Sequence, residues 1–279
     1  MTTTTAPHAG SLWYVYGIVP AGLATRSLPA GLDDAELVVE RDSGVAALVS
    51  RLDASTYAPD AIERNSADVE WLSPRAVAHD RVLSWASEHG AVVPLPMFSL
   101  FSGLDAVRSM LRDRSPQLAA TLERVGLGRE YALRVYRVDA ELLAVIATLS
   151  PRLETLASSA ASASPGQRYL LERKLEGQKR AELRGVTQEI VDEIVSALST
   201  HAIDTVRSPI PRGTDAEGVA GGRGTMVLNA AFLVAPDRLE SFQKTLTTLI
   251  DRRGAQGFRF DFTGPWPPYH FSNASADGD

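Results

Sequence analysis

Tyr131 to Asp139 reads YALRVYRVD, and this stretch sets the frame for the second half of the chain. Its alternation places Tyr131, Leu133, Val135 and Arg137 on one face, and Ala132, Arg134, Tyr136 and Val138 on the other, the period of a β-strand. Glu141 to Leu156 follows with helical spacing that restarts at Ser150-Pro151. Ala157 to Gly166, ASSAASASPG, is small and polar and reads as a joint or a weak helical turn. Gln167 to Ser199 then carries Leu183, Val186, Ile190, Ile194 and Leu198 at three-and-four spacing, so one stripe of a long helix is buried. Strands at Ala202 to Ser208 and Thr225 to Val234 bracket a glycine-rich loop. A helix opens at Pro236-Asp237 and ends at Gly254, and Phe258 to Phe262 is the last strand. The order is βαββαβ, which predicts a ferredoxin-like arrangement with helices on one face of the sheet.

Working back from there, Gly126 and Gly128 mark a boundary, and the first half is also α+β. Leu12 to Pro20, LWYVYGIVP, is a strand apolar on both faces and closed by Pro20 and Gly22. Glu36 to Glu40 and Val45 to Arg51, joined through Asp42-Ser43-Gly44, predict a hairpin. Pro59 to Asn65 is a short helix. A stronger helix is expected from a Ser73 cap and Pro74 to a stop at Gly90, with Ala78, Val82 and Trp85 on its buried side. Ala91 to Leu95 is a strand confined to an edge by Pro94 and Pro96, and Leu104 to Val125 is helical with a break near Pro116. The expected organisation is thus a disordered tail over 1–11, an α+β domain over 12–128, a ferredoxin-like domain with a long helix over 129–271, and a second tail over 272–279.

Composition excludes several function classes. The 279 residues suffice for one large or two ordinary domains, and such a chain buries roughly 75% of its unfolded surface without disulfides or a structural metal. The absence of cysteine removes thiol nucleophiles, iron-sulfur clusters and cysteine zinc sites. With 28 basic against 34 acidic side chains the net charge is -6, unsuited to holding nucleic acid by phosphate neutralisation. The first ten residues have no secretory character, and no apolar run approaches the roughly 20 residues of a membrane span. A cytoplasmic protein without lipid or nucleic-acid partners is expected.

No catalytic constellation stands out. Gly213 to Gly224, GTDAEGVAGGRG, leads into a strand instead of a helix and lacks a following Gly-Lys-Ser or Gly-Lys-Thr, so it is a connection and not a phosphate cradle. His8, His79, His89, His201 and His270 form neither HExxH nor an HxH pair; His79 and His89 lie about 15 Å apart along one helix, too far to share a metal. Ser99 and Ser102 in FSLFSG lack the glycine of a nucleophile elbow. Asp33-Asp34 sits in a turn, and Glu172 and Glu176 sit on a charged helix, where Glu176 is spaced to pair with Arg180. No enzyme activity, cofactor or metal is therefore expected. The run Arg168 to Arg184, RYLLERKLEGQKRAELR, has six basic side chains against three glutamates. It reads as an exposed helix with interspersed ion pairs, or as a contact stripe for an acidic partner.

The ending GPWPPYHF, Gly264 to Phe271, is stiff and aromatic. It reads as a plug folded onto the core, as a presented partner surface, or as both; Trp266, Pro267, Pro268, Tyr269 and Phe271 are the candidate partner-binding residues. This ending, directly after FRFDFT, resembles the closing segment of the gas vesicle F/L protein family. YVYGIV at Tyr14 to Val19, GQRYLLERK at Gly166 to Lys174 and LNAAFLV at Leu228 to Val234 agree in order and spacing. VVPLPMFSLF, Val92 to Phe101, is similar to the family's Pro-Leu-x-Phe segment, although Pro96-Met97-Phe98-Ser99 replaces the Arg-Phe-Gly that many members carry. The resemblance spans Leu12 to Phe271. It implies a non-enzymatic accessory protein located at the gas vesicle within the cytoplasm, binding the hydrophobic shell subunit and other accessory proteins in support of assembly. The competing reading from residues alone is a small-molecule-binding or enzymatic α+β protein whose ferredoxin-like half senses a ligand.

Overall fold

The computed structural model describes residues 10–210, 215–216 and 224–272. The expected tails, over most of their length, and the body of the glycine-rich loop lie outside the described residues. The chain divides into two compact units, one formed by residues 1–130 together with 265–279 and the other by 131–264.

The first unit is organised by β1 (Ser11–Pro20). Val38–Asp42 (β2) and Val45–Asp53 (β3) form the expected antiparallel hairpin, with Ser43 and Gly44 both at positive φ, as a two-residue turn between twisted strands requires. Ala54–Tyr57 (α1) and Pro59–Asn65 (α2) lead to Val69–His89 (α3); Val93–Pro94 (β4), Leu100–Phe101 (β5) and Leu104–Gly126 (α4) complete the set. The sheet order is β2-β3-β1-β4, with β5 also on β1.

Residues Tyr14 to Val19 are all buried, so β1 must be covered on both faces. Tyr14, Tyr16 and Val19 pack with Val82, Leu83 and Ala86 of α3, whereas Val15 and Ile18 pack with Val107, Leu111, Leu118 and Leu122 of α4. Strict alternation would put Ile18 with Tyr14 and Tyr16. The register shift between Val15 and Gly17 changes that parity. At this shift Gly17 lies so close to its neighbours that a Cβ would sit 2.9 Å from the Val93 carbonyl oxygen and 2.9 Å from Leu83.

Two helices differ from expectation for identifiable reasons. α3 starts five residues before Pro74 because Asp68, not Ser73, is the cap: its carboxylate accepts from the Glu70 and Trp71 N–H groups at 2.9 and 3.4 Å. α4 runs unbroken through Pro116. The proline cannot bond the Arg112 carbonyl, and the Ser115 hydroxyl donates to that oxygen instead at 3.1 Å. The expected strand over 91–95 shrinks to the two residues of β4.

The second unit begins within β6 (Arg129–Arg137), from Tyr131 on, and continues with α5 (Asp139–Val145), α6 (Pro151–Ser162) and α7 (Pro165–Ser199). The expected joint over 157–166 is mostly helical: α6, capped by the Ser150 hydroxyl, continues to Ser162, and α7 begins at Pro165. Asp204–Arg207 (β7), Asp215–Ala216 (β8), Gly224–Val234 (β9), Leu239–Gly254 (α8) and Phe258–Trp266 (β10) follow, in the sheet order β10-β6-β9-β7 with β8 on β9. Tyr131, Leu133 and Val135 face a core shared with Val186, Ile190 and Ile194 of α7, Phe242 and Leu246 of α8, and Phe232 and Phe258 of the sheet. Both units are thus mixed helix-and-sheet structures built on largely antiparallel sheets.

Gly17→Ala is expected to destabilise the fold by about 1–3 kcal/mol, because the added methyl meets a backbone carbonyl that cannot turn away. Urea unfolding of the variant measures it, and an unchanged midpoint would contradict the close approach.

Candidate functional site

The expected domain division placed the proline-rich ending in the second half, but Pro265 onward belongs to the first unit. The last strand is also longer than expected, reaching Trp266. Past it the backbone tightens into a turn: Tyr269 N–H donates to the Pro267 carbonyl at 2.7 Å, and the Phe271 and Ser272 N–H groups donate to Pro268 at 3.2 and 3.0 Å. The two prolines pre-set this path, which limits the freedom lost on ordering it.

Side chains from distant parts of the first unit fasten the turn. Glu130, 1% exposed, accepts from the His270 backbone N–H at 3.0 Å and from His270 Nδ1 at 2.7 Å. An ionised carboxylate only accepts, so Nδ1 carries the proton. Arg124 donates to the Phe271 carbonyl at 2.6 Å, and the Tyr269 hydroxyl donates to Asp80 at 2.8 Å. Burial and the Asp80 carboxylate together push the Tyr269 phenol upward, so it remains a donor.

The candidate residues therefore separate. Pro267, Pro268 and Phe271 are buried and act as a plug; they cannot be presented to a partner without unseating the turn. Trp266 and Tyr269 remain 41% and 36% exposed. Trp266 lines a small cavity of about 100 Å³ with Ser84, Ser87 and Arg129. Tyr269 lines a larger one of about 260 Å³ with His79, Pro94, Leu95, Pro96 and Met97.

That larger cavity rests on contacts that sequence spacing does not reveal. Asp80 and Glu130 bear no motif, and neither is near the ending in sequence. Inside the wall, Tyr14 donates to His79 Nδ1 at 2.7 Å and accepts from the Phe98 N–H at 3.2 Å. Tyr16 stacks on the same imidazole at 5.8 Å and accepts from Leu32 N–H at 2.8 Å. Burial holds the His79 imidazole down at about 4, only partly offset by the Asp80 charge and the Leu95 backbone. His79 is accordingly a neutral, hydrogen-bonded wall residue. Phe98, at φ +63, stacks on Trp71 at 5.7 Å, and the Arg75 guanidinium lies 4.3 Å over the same indole and pairs with Asp33. The Asp33 turn thus has a structural use.

Of the other candidates, Ser99 donates its hydroxyl to the Pro96 carbonyl, His89 bonds the Trp85 carbonyl in the last turn of α3, and His201 meets Thr245. Among the described residues no three His, Asp or Glu side chains cluster as metal ligands, and no helix is long and apolar enough to cross a membrane. Glu176 pairs with Lys179 at 2.6 Å, not with Arg180 as its spacing suggested.

Two outcomes follow from this geometry. Phe271→Ala is expected to cost about 3–5 kcal/mol, and Trp266→Ala less, because that indole is already 41% exposed; denaturant melts compare them directly. Because the folded pKa of His79 lies below the ordinary 6.5, the unfolded chain binds a proton first as pH falls. Stability should then decline by about 3 kcal/mol between pH 6.5 and 4. Melts of the wild type and His79→Gln across that window test this, since only the wild type should carry the His79 share of the decline.

The gas vesicle synthesis protein GvpL/GvpF family model matches residues 12–273. Gas vesicle protein L of a Streptomyces strain is 27% identical over 85% of this chain and 83% of its own length. Gas vesicle protein L2 of Halobacterium salinarum is 27% identical over 93% of this chain and 90% of its own. Gas vesicle protein F of the same Streptomyces strain is also 27% identical, over 92% and 98%. The crystal structure of gas vesicle protein GvpF from Anabaena superposes with a TM-score of 0.67 at 18% identity, covering 97% of this chain and 99% of that one. With its ending seated as described and a family match running nearly end to end, the chain belongs to the gas vesicle synthesis protein GvpL/GvpF family.

Proposed function

We propose that this protein is a non-enzymatic accessory component of gas vesicles that binds the hydrophobic shell subunit and supports vesicle assembly, together with other accessory proteins, in the cytoplasm. The observation that carries the reading is the family match over residues 12–273; the names of the relatives point the same way. A subunit destined for an apolar shell exposes apolar surface and strand edges before it is incorporated, and needs a partner to cover them.

The first unit offers a surface suited to that task. The cavity between Tyr269 and the Pro94 to Met97 segment is walled by prolines, Leu95 and a methionine, and completed by His79, Tyr269 and Ser272. Prolines supply apolar wall without amide donors, and methionine adapts to irregular partners. Within the candidate set, Trp266 and Tyr269 are the contact residues, and Pro267, Pro268 and Phe271 hold them in place. We infer too that the second unit is a ferredoxin-like module: its main strands and helices run βαββαβ, and the first and third strands, β6 and β9, are central.

Deleting this chain from cells carrying the whole vesicle gene set is expected to abolish buoyancy, and the tagged protein should co-purify with the shell subunit. The Met97→Glu/Trp266→Ala double variant should lose the subunit while still unfolding cooperatively. Buoyant cells without the protein would sink the assembly role, and undiminished capture by the double variant would sink the contact surface.

A further inference from the structure

α7 spans 35 residues, roughly 50 Å, and its first half packs against α6 along one side only. Leu171, Leu175, Glu182 and Leu183 are partly covered on that side. The opposite side is centred on Gly177. Counting about 100° per residue, Leu170, Arg173, Lys174, Arg180, Ala181 and Arg184 all fall within about 60° of it. All six are exposed, and Leu170 is 66% exposed. Glu172, Glu176 and Glu182 lie roughly 100° or more away, so the face carries four cations and no anion.

Among the described residues the charges of this face are unmatched. Arg173, Lys174, Arg180 and Arg184 form no ion pair among the described residues, whereas Arg64, Arg108, Arg112 and Arg152 each close one. The one lysine of the run that is paired, Lys179, lies off the face and takes up Glu176. In a chain with a net charge of -6, such a cationic strip is not a by-product of overall composition. Glycine inside a helix costs stability relative to alanine, and a Cβ added at Gly177 would meet nothing within 4 Å. Packing among the described residues therefore gives no reason for it.

We propose that this face of α7 is a docking surface for an acidic amphipathic helix of a partner protein. Leu170 and Ala181 would meet its apolar stripe, and the flanking cations would pair with its carboxylates. Gly177 would let the two backbones approach closely. The surface belongs to the second unit and shares no residue with the shell-binding surface proposed for the first.

The test is site-specific photo-crosslinking with benzoylphenylalanine at Ala181 of the full chain, in cells carrying the vesicle gene set, with the same label at Glu189 on another side of the helix as control. The Ala181 adduct should map to one acidic, helix-periodic peptide. It should fall by roughly tenfold or more in Arg173→Glu/Arg180→Glu/Arg184→Glu, as expected for reversing an interfacial charge strip. Gly177→Leu, a better helix former, should raise the melting temperature and still weaken the adduct, which separates docking from folding. Equal adducts from Ala181 and Glu189, an adduct to a peptide without acidic residues, crosslinking to nucleic acid or lipid instead, or an adduct unchanged in Gly177→Leu would each overturn the proposal.

Discussion

The first unit depends on the burial of β1 on both faces. Six consecutive residues, Tyr14 to Val19, lie out of water, and that demands a helix on each side of the sheet and a bulge to share the side chains between them. Two of the six are tyrosines, whose hydroxyls must be bonded where they are buried. His79 and the Leu32 N–H meet that demand. His79 lies on α3 beside Asp80, which accepts from the Tyr269 hydroxyl. The chain of requirements thus runs from an apolar strand to the seat of the C-terminal turn.

That turn gives the ending its double character. A presented aromatic segment would be mobile and would lose much entropy on binding. Here Pro267, Pro268 and Phe271 are buried, and Glu130 and Arg124 hold the backbone around them, leaving Trp266 and Tyr269 fixed at the surface. The buried Glu130 carboxylate is tolerable because two N–H groups face it; an unpaired one would be costly. Buried plug and exposed aromatics are therefore successive residues of one segment.

Much of this was legible in the chain itself. The hairpin around Ser43-Gly44, the doubly buried first strand, the alternating β6 and the buried stripe of α7 follow from local periodicity and turn chemistry, which act over a few residues. Local rules failed where a side chain met a backbone group in a way that overrode them. Asp68 moved the start of α3, and Ser115 removed the need for a break at Pro116. The joint before α7 became helical, since alanine and serine fit a helix when the neighbouring segments pack.

Sequence by itself determined most of the element types, the lack of cysteine chemistry, the family and the place of the unusual ending, because these depend on residue identity and spacing alone. Only the tertiary structure decided which unit that ending joins, which of its aromatics are buried, and that α7 exposes a face of four cations with no ion pair among the described residues. Those outcomes rest on pairs such as Glu130 with His270 and Asp80 with Tyr269, brought together across 140 and 189 residues. No local pattern encodes such a pair; the folded chain has to put the two partners side by side.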